Sequence, residues 1–383
     1  MKTMPRRVFL SLLGSISGAV WVGGTRSLIF ASDTSETPWP RFGRSIVIDS
    51  ASGWPGEPGK PDSMTAAALD DVRKSGLTAI NLTVNGAGIG SYANNYNGTM
   101  DSIAYWNGQV AAHPDALMQV RRFADIAEAK RTGRLGLIYG LQDSFPFGED
   151  LDRLDQFVDF GLRIFSLTYN KRNLVGDGCL EAGNAGLSEF GLKLVAALNE
   201  HKLLIDLAHA GERTTLEAIT ASKAPIAISH TGCAALNPNP RNKTDNELRK
   251  LAEKGGYVGI YLMPFLRGKG QPMAADLVAH LEHAIDICGE DHVGIGGDIP
   301  VSPTALTPEF KKKHAEFISD RRKRGIAAPG EDPDVYMFLP DLNRADRLAR
   351  LAQLLSQRTH SDARIEKILG GNFARLLHEV WGD

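Results

Sequence analysis

His209 and His230 are the two histidines, of ten in the chain, that follow short apolar runs of the kind that form buried strands. They lie 21 residues apart, the length of one strand-plus-helix unit, so they are expected to project from neighbouring strands toward one opening. Asp298 ends another such run, across the same opening. Two imidazoles and a carboxylate form a set suited to zinc with a coordination position left open for water. A metal held there would acidify bound water and polarise an amide carbonyl, the two needs of amide hydrolysis. Asp298 could ligate the metal or carry the proton from water to the leaving amine. A single strand-end histidine is more often a hydrogen-bonded structural group; a pair on adjacent strands with a convergent aspartate points to a metal.

The competing chemistries have less behind them. No G-x-S-x-G elbow is present, and the glycine–serine run Gly14-Ser15-Ile16-Ser17-Gly18 falls inside the N-terminal apolar segment, which argues against a serine hydrolase. Gly86-Ala87-Gly88-Ile89-Gly90 is not G-x-G-x-x-G, and the sequence over 91–98 reads as a loop rather than a helix start, so a dinucleotide fold is rejected. Cys179, Cys233 and Cys288 form no CxxC pair. Cys233, three residues after His230, is a further candidate ligand; Cys288 falls in an apolar helical stretch as a core residue; an oxidising compartment would permit one disulfide.

The elements that must position these residues alternate. Eight short apolar runs, at 45–49, 79–84, 136–141, 164–168, 203–207, 225–229, 257–262 and 292–296, are near-continuous in the manner of parallel strands buried on both faces. Helix-period segments fit 62–75, 116–130, 151–160, 212–222 and 274–288 between them, with further helices at 342–355 and 364–381. This pattern predicts an α/β fold, a single-domain (β/α)8 TIM-type barrel with C-terminal helices, in preference to an open doubly wound sheet. The active site of such a barrel lies at the C-terminal ends of the strands. The polar residues there are Asp49, Asn85, Gln142 with Asp143, Tyr169 with Asn170, Asp206 with His209, His230 and Asp298. The segment 300–340 is an insertion whose lysine and arginine clusters, interspersed with acids, read as a solvated basic helix.

The 383 residues are 43% apolar and 23% charged, which excludes a disordered or collagen-like chain. A net charge of −2 gives no electrostatic reason to propose a nucleic-acid partner. Lys2, Arg6 and Arg7 precede an apolar run over 8–22 that is short for a membrane span. Residues 1–31 therefore read as a twin-arginine-type export signal and 32–383 as the barrel domain, in an exported, periplasmic protein; an uncleaved membrane anchor is the alternative.

Four stretches resemble the membrane (renal) dipeptidase family of metallopeptidases. They are Leu204-Ile205-Asp206-Leu207-Ala208-His209, the run Pro225 to His230 with Asn239-Pro240-Arg241-Asn242, the run Asp291 to Asp298, and Ile368-Leu369-Gly370-Gly371-Asn372. The resemblance implies a barrel hydrolase of dipeptides with a binuclear zinc centre, in which positions matching His209, His230 and Asp298 bind metal, and commonly a homodimer. It also implies that Arg241 holds the substrate's terminal carboxylate, a task suited to a guanidinium fork. Beside it, Tyr169, Asn170 and Asn173 are expected to line the pocket and Asn242 to bind substrate. The chain departs from the family where Ala51 and Gly53 replace a metal-binding His and Asp, Gln142 replaces the bridging Glu, and Tyr169 replaces a further His. Two adjacent zinc ions need carboxylates to offset their repulsion, so the expectation is one zinc ion on His209, His230 and Asp298. Catalysis would then fall to Asp298 and Gln142, acting on a small peptide-like substrate. The alternatives are a non-hydrolytic periplasmic protein that binds a peptide-like ligand or assists siderophore maturation, and a different reaction on the same barrel.

Overall fold

The computed structural model describes residues 38–53, 64–85 and 92–383. The expected leader at 1–31 and the glycine cluster at 86–90 lie outside them. Eight parallel strands run β1 (Ile48–Ser52), β2 (Ala79–Thr83), β4 (Leu135–Leu141), β5 (Leu162–Ser166), β6 (Leu204–Asp206), β7 (Ala227–Thr231), β8 (Tyr257–Ile260) and β9 (Val293–Ile295), each hydrogen-bonded to the next. A bridge between Ser52 and Ile299, with Asp298 N donating to Ala51 O at 2.7 Å, joins the last strand to the first. The fold is the expected (β/α)8 barrel.

Apolar, β-branched stretches make these strands because both faces are covered: every residue of β1, β4, β7 and β8 is buried. The returning helices are α1 (Ala66–Ser75), α2 (Tyr92–Ala112), α3 (Ala124–Thr132), α4 (Arg153–Asp159), α5 (Glu189–Glu200), α6 (Glu212–Ala221), α7 (Asp245–Glu253) and α8 (Ala274–Cys288). Their starts carry the expected caps: the Thr65 hydroxyl accepts from Ala68 N, and Thr244 and Glu247 close a reciprocal capping box. The opposite end of the barrel is plugged by α12 (Asn372–Trp381). Its Phe373, Leu376, Leu377 and Val380 recur at helical spacing and pack on Ile48, Ile138, Ile164, Leu204 and Tyr257. Gly370 is needed just before it, since a Cβ there would stand 2.6 Å from Ile48 N.

Three local expectations are corrected. Of the loop expected over 91–98, residues 92–98 are the first part of α2: tertiary contacts, with Tyr96 against Phe157 (centroids 5.7 Å apart) and its hydroxyl on Gln156, outweigh the weak helix propensity of the asparagines. The helix expected over 116–130 is divided, because Leu117–Gln119 forms β3, a short strand beside the start of β4, and only Ala124–Thr132 is helical. The first strand begins at Ile48 rather than 45, where Ser45 instead turns its hydroxyl onto the Arg41 carbonyl. Asp49 consequently sits inside β1, fully enclosed.

The insertion contains α9 (Pro308–Lys323), and α10 (Arg347–Gln357) and α11 (Asp362–Glu366) follow it before α12. The segment is tied down at both ends. Arg347 donates to the carbonyls of Pro300 and Val301, and Gln271 exchanges hydrogen bonds with Tyr336 and Phe338.

Candidate functional site

The imidazoles of His209 and His230 converge, with Nε2 atoms 2.9 Å apart. Both rings are buried. Each is oriented from behind. His209 Nδ1 meets Asn170 Oδ1 at 2.7 Å, and the Asn170 amide is itself fixed by donating Nδ2–H to Ile326 O. His230 Nδ1 meets Ser229 Oγ at 2.9 Å, and that hydroxyl donates to Asp206 Oδ2 at 2.7 Å. Asp206 also accepts from Ser166 and from the Ser229 backbone. With these partners each Nδ1 carries the proton, so both Nε2 lone pairs face one another. Burial, reinforced by Arg241, holds both rings well below the usual imidazole range, so both are neutral. Neutral imidazoles held by outer hydrogen bonds are the form that binds metals.

Asp298 occupies the other side of the opening. Its φ of 57° is left-handed, a conformation aspartate tolerates better than most residues, and it aims the carboxylate at the imidazoles. Oδ2 lies 3.9 Å from His230 Nε2, and Gln142 Nε2 donates to Oδ1 at 3.3 Å. Burial raises the Asp298 pKa against the opposing pull of Arg241. Ala51 and Gly53 stand beside it without a donor side chain, as the sequence requires. Among the described residues no three His, Cys, Asp or Glu side chains close around one point. The donors nearest to doing so are therefore two nitrogens and the one carboxylate of Asp298.

Arg241, on the loop after β7, is almost entirely buried. Its Nη1 donates to Ala208 O at 2.5 Å, and Nη2 lies 3.3 Å from His209 Nε2. A guanidinium and any cation thus compete for one lone pair. Tyr169 stacks on His209, with centroids 4.1 Å apart, and its hydroxyl accepts from Arg321 Nη1 at 3.2 Å. Arg321 is forked onto Glu331, with contacts of 2.5 and 2.8 Å. Since a guanidinium only donates, the Tyr169 proton stays free to point elsewhere, and burial keeps that phenol protonated.

These groups share a cavity of about 460 Å³. Tyr169, His209, Arg241 and Asp298 line one part of it, and residues of the insertion line much of the rest. Here the reading of 300–340 as a solvated helix is corrected for one stripe: Phe310, His314, Phe317 and Arg321 of α9 line the cavity, with Lys313 at its edge, while Lys311, Lys312, Arg322 and Lys323 are exposed. Sequence reasoning missed Arg321 and Glu331. The available signal was the stripe's spacing of four, three and four residues.

Other expected site residues are not brought to the cavity. Asn242 spends its amide on the carbonyls of Asn237 and Phe265 and accepts from the Tyr261 hydroxyl, so it shapes a loop. Asn173 clamps Asp143, Ser144 and Leu167. Asn85 accepts from Gln142 N, a support for that residue. Asp49 accepts from the backbones of Gly297 and Ala51 and is a brace beneath the opening. Cys233 lies away from the imidazole pair, in contact with His280, and all three cysteines are free thiols.

The profile of the membrane dipeptidase family (peptidase family M19) matches residues 61–320, more than half of the chain. The chain belongs to that family. A solved structure described as an amidohydrolase from Pseudomonas aeruginosa is 31% identical, with a TM-score of 0.77, covering 89% of this chain and 98% of that one. A metallo peptidase from Rhodobacter sphaeroides, solved with a phosphinate mimic of the dipeptide L-Ala-D-Ala, is 19% identical with a TM-score of 0.73 and covers 88% of this chain and 100% of that one, a likeness of fold. Among curated relatives, Dipeptidase verJ of Clonostachys rogersoniana is 28% identical over 235 residues, 60% of each chain. Dipeptidase tcpJ of Claviceps purpurea is 27% identical over 272 residues, 70% of this chain and 56% of that one. The chain thus spans no more than about 60% of the length of these two curated relatives.

Proposed function

We propose that the protein hydrolyses dipeptides or related small amides that carry a free carboxylate, using a single zinc ion. The observation that carries this reading is the pair of opposed Nε2 lone pairs, 2.9 Å apart, of which His209 lines the cavity together with Arg241 and Asp298 while His230 is buried directly behind it. Two acceptors at that separation repel unless a cation or proton lies between them. His209 and His230, with Asp298 Oδ2 as the nearest carboxylate, would hold one ion. A second ion would lack anionic partners, because Ala51, Gly53 and Gln142 supply none. When bound, zinc would supply Lewis acidity toward water and the amide carbonyl.

The chain's own groups divide the remaining work. Arg241 pairs with the substrate carboxylate, its buried charge having no carboxylate within ion-pair distance among the described residues. The Tyr169 hydroxyl, held by Arg321, donates its proton toward the oxygen on which charge develops. Asp298 takes the proton of the attacking water at Oδ1 and returns it to the leaving nitrogen, a role suited to a carboxylate whose pKa burial has raised. Gln142 orients that carboxylate through its Nε2–H. The apolar walls keep bulk water from these charges.

Chelation should abolish dipeptide hydrolysis and zinc should restore it, and His209→Ala should lower kcat/KM by about a thousandfold or more, the several kcal/mol a catalytic metal contributes. Turnover that survives both changes contradicts the reading. Ligand binding without hydrolysis is a second reading, favoured by the absent donors at residues 51, 53 and 142; a dipeptide panel with no turnover would select it. We also propose that residues 1–31 direct export to the periplasm, which N-terminal sequencing of the mature protein would test.

A further inference from the structure

The apolar and aromatic insertion residues that line the cavity are not accounted for by the chemistry above. Phe310 and Phe317 of α9, with Met337 and Phe338 from the segment that returns to α10, face Met263 and Phe265 from the loop after β8. Phe317 keeps 48% of its surface exposed, although it sits on a cavity wall. The charged groups of this region are already engaged. Arg321 is forked onto Glu331, Lys313 pairs with Glu309 at 2.9 Å, and Arg347 is spent on backbone carbonyls. What the wall offers a ligand is therefore apolar and aromatic surface. The same cavity contains, at Arg241, a buried cation able to take a carboxylate. Its volume, about 460 Å³, falls in the range of roughly 300–1,000 Å³ typical of sites that enclose a drug-sized ligand.

The insertion is also held firmly enough to act as a wall. Asn170 and Asn239 on the barrel loops donate to Ile326 and Pro329, and Asn343 exchanges hydrogen bonds with Thr304. Asn170 is the residue that orients His209, so the insertion and the imidazole pair share a support.

We propose that α9 and the 337–338 segment form a specificity subsite for a large apolar side chain, preferably aromatic, of a dipeptide whose carboxylate lies on Arg241. This rests on the proposed function for the position of the carboxylate. The subsite itself is a matter of binding and can be read without turnover.

The experiment measures dissociation constants of the full chain for phosphinate dipeptide mimics with two methyl side chains or with one methyl replaced by benzyl. Burying the aromatic group should make the benzyl mimic bind tighter by about tenfold or more. Phe317→Ala, at an exposed position whose loss leaves the fold intact, should erase most of that preference and leave the methyl mimic's affinity unchanged; an unaltered melting temperature checks the fold. Equal affinity for the two mimics, no binding of either, or an equal loss for both in Phe317→Ala overturns the subsite. Turnover of the parent dipeptides is scored separately: preference without turnover retains the subsite and removes the hydrolytic reading, whereas turnover without preference does the reverse.

Discussion

On the β6–β7 side of the opening, both imidazoles are held from behind, His209 by Asn170 and His230 by the Ser229–Asp206 pair. On the β1–β9 side, Ala51 and Gly53 bring no side-chain donor, and Asp298 is steadied only at 3.3 Å by Gln142. One side has outer hydrogen bonds behind both of its side-chain donors, and the other presents Asp298 alone while its backbone pairing is complete. Asp298 N still donates to Ala51 O, and Asp49 still braces Gly297. The difference teaches that barrel closure and ligand supply are separable: main-chain hydrogen bonds close the β1–β9 seam whatever side chains stand at residues 51 and 53.

After His209→Ala, the next largest effect is expected from Tyr169→Phe. The phenol sits between the two sides, and losing its proton should lower kcat by about 10²–10³ with little change in KM, as removal of one preorganised donor does. A rise in KM alone would make Tyr169 a binding group instead. Ser229→Ala breaks the built side without touching a proposed ligand. It leaves the buried His230 Nδ1 without its acceptor, and zinc affinity should fall about 10–100-fold, measured by competition with a chelator. An unchanged affinity would mean that the outer hydrogen bonds do not support metal binding.

The smallest effect on turnover is expected from Asp49→Asn, beneath the depleted side. Burial raises the Asp49 carboxyl to about 7, against Arg347 and the two backbone donors that favour its charge. An unfolded aspartate titrates near 3.9, so between about pH 4 and pH 7 the folded state binds the extra proton, and stability falls as pH rises through that window. An asparagine oxygen can accept the same two backbone bonds without ionising. The variant should therefore gain on the native protein, by up to about 4 kcal/mol, between pH 5 and pH 8 in denaturant titrations of the metal-free protein. Parallel pH profiles for the two proteins would show that Asp49 does not titrate in this window.

Much of this was legible in the sequence where a polar residue follows a buried apolar run. His209, His230 and Asp298 could be placed at one opening because strand order alone brings them there. The first strand was displaced by three residues because Ser45, Ile46 and Val47 are as compatible with an extended strand as the residues that follow. Asn242 was misplaced because it neighbours Arg241, yet its amide turns to the Asn237 and Phe265 carbonyls. Arg321 was hidden among lysines and arginines that are solvated. Its burial depends on Glu331, which a loop brings back from ten residues further on, and on Tyr169, 152 residues away. Contacts of that kind follow from tertiary structure and leave little local pattern.

Metal content of the purified mature protein, measured by elemental analysis after loading with excess zinc and removal of the unbound ion, tests the asymmetry of the opening most directly. One equivalent per chain, lost in His230→Ala, is the result expected here. Two equivalents would mean that the β1–β9 side still supplies ligands, and none would mean that the opposed imidazoles hold no metal ion.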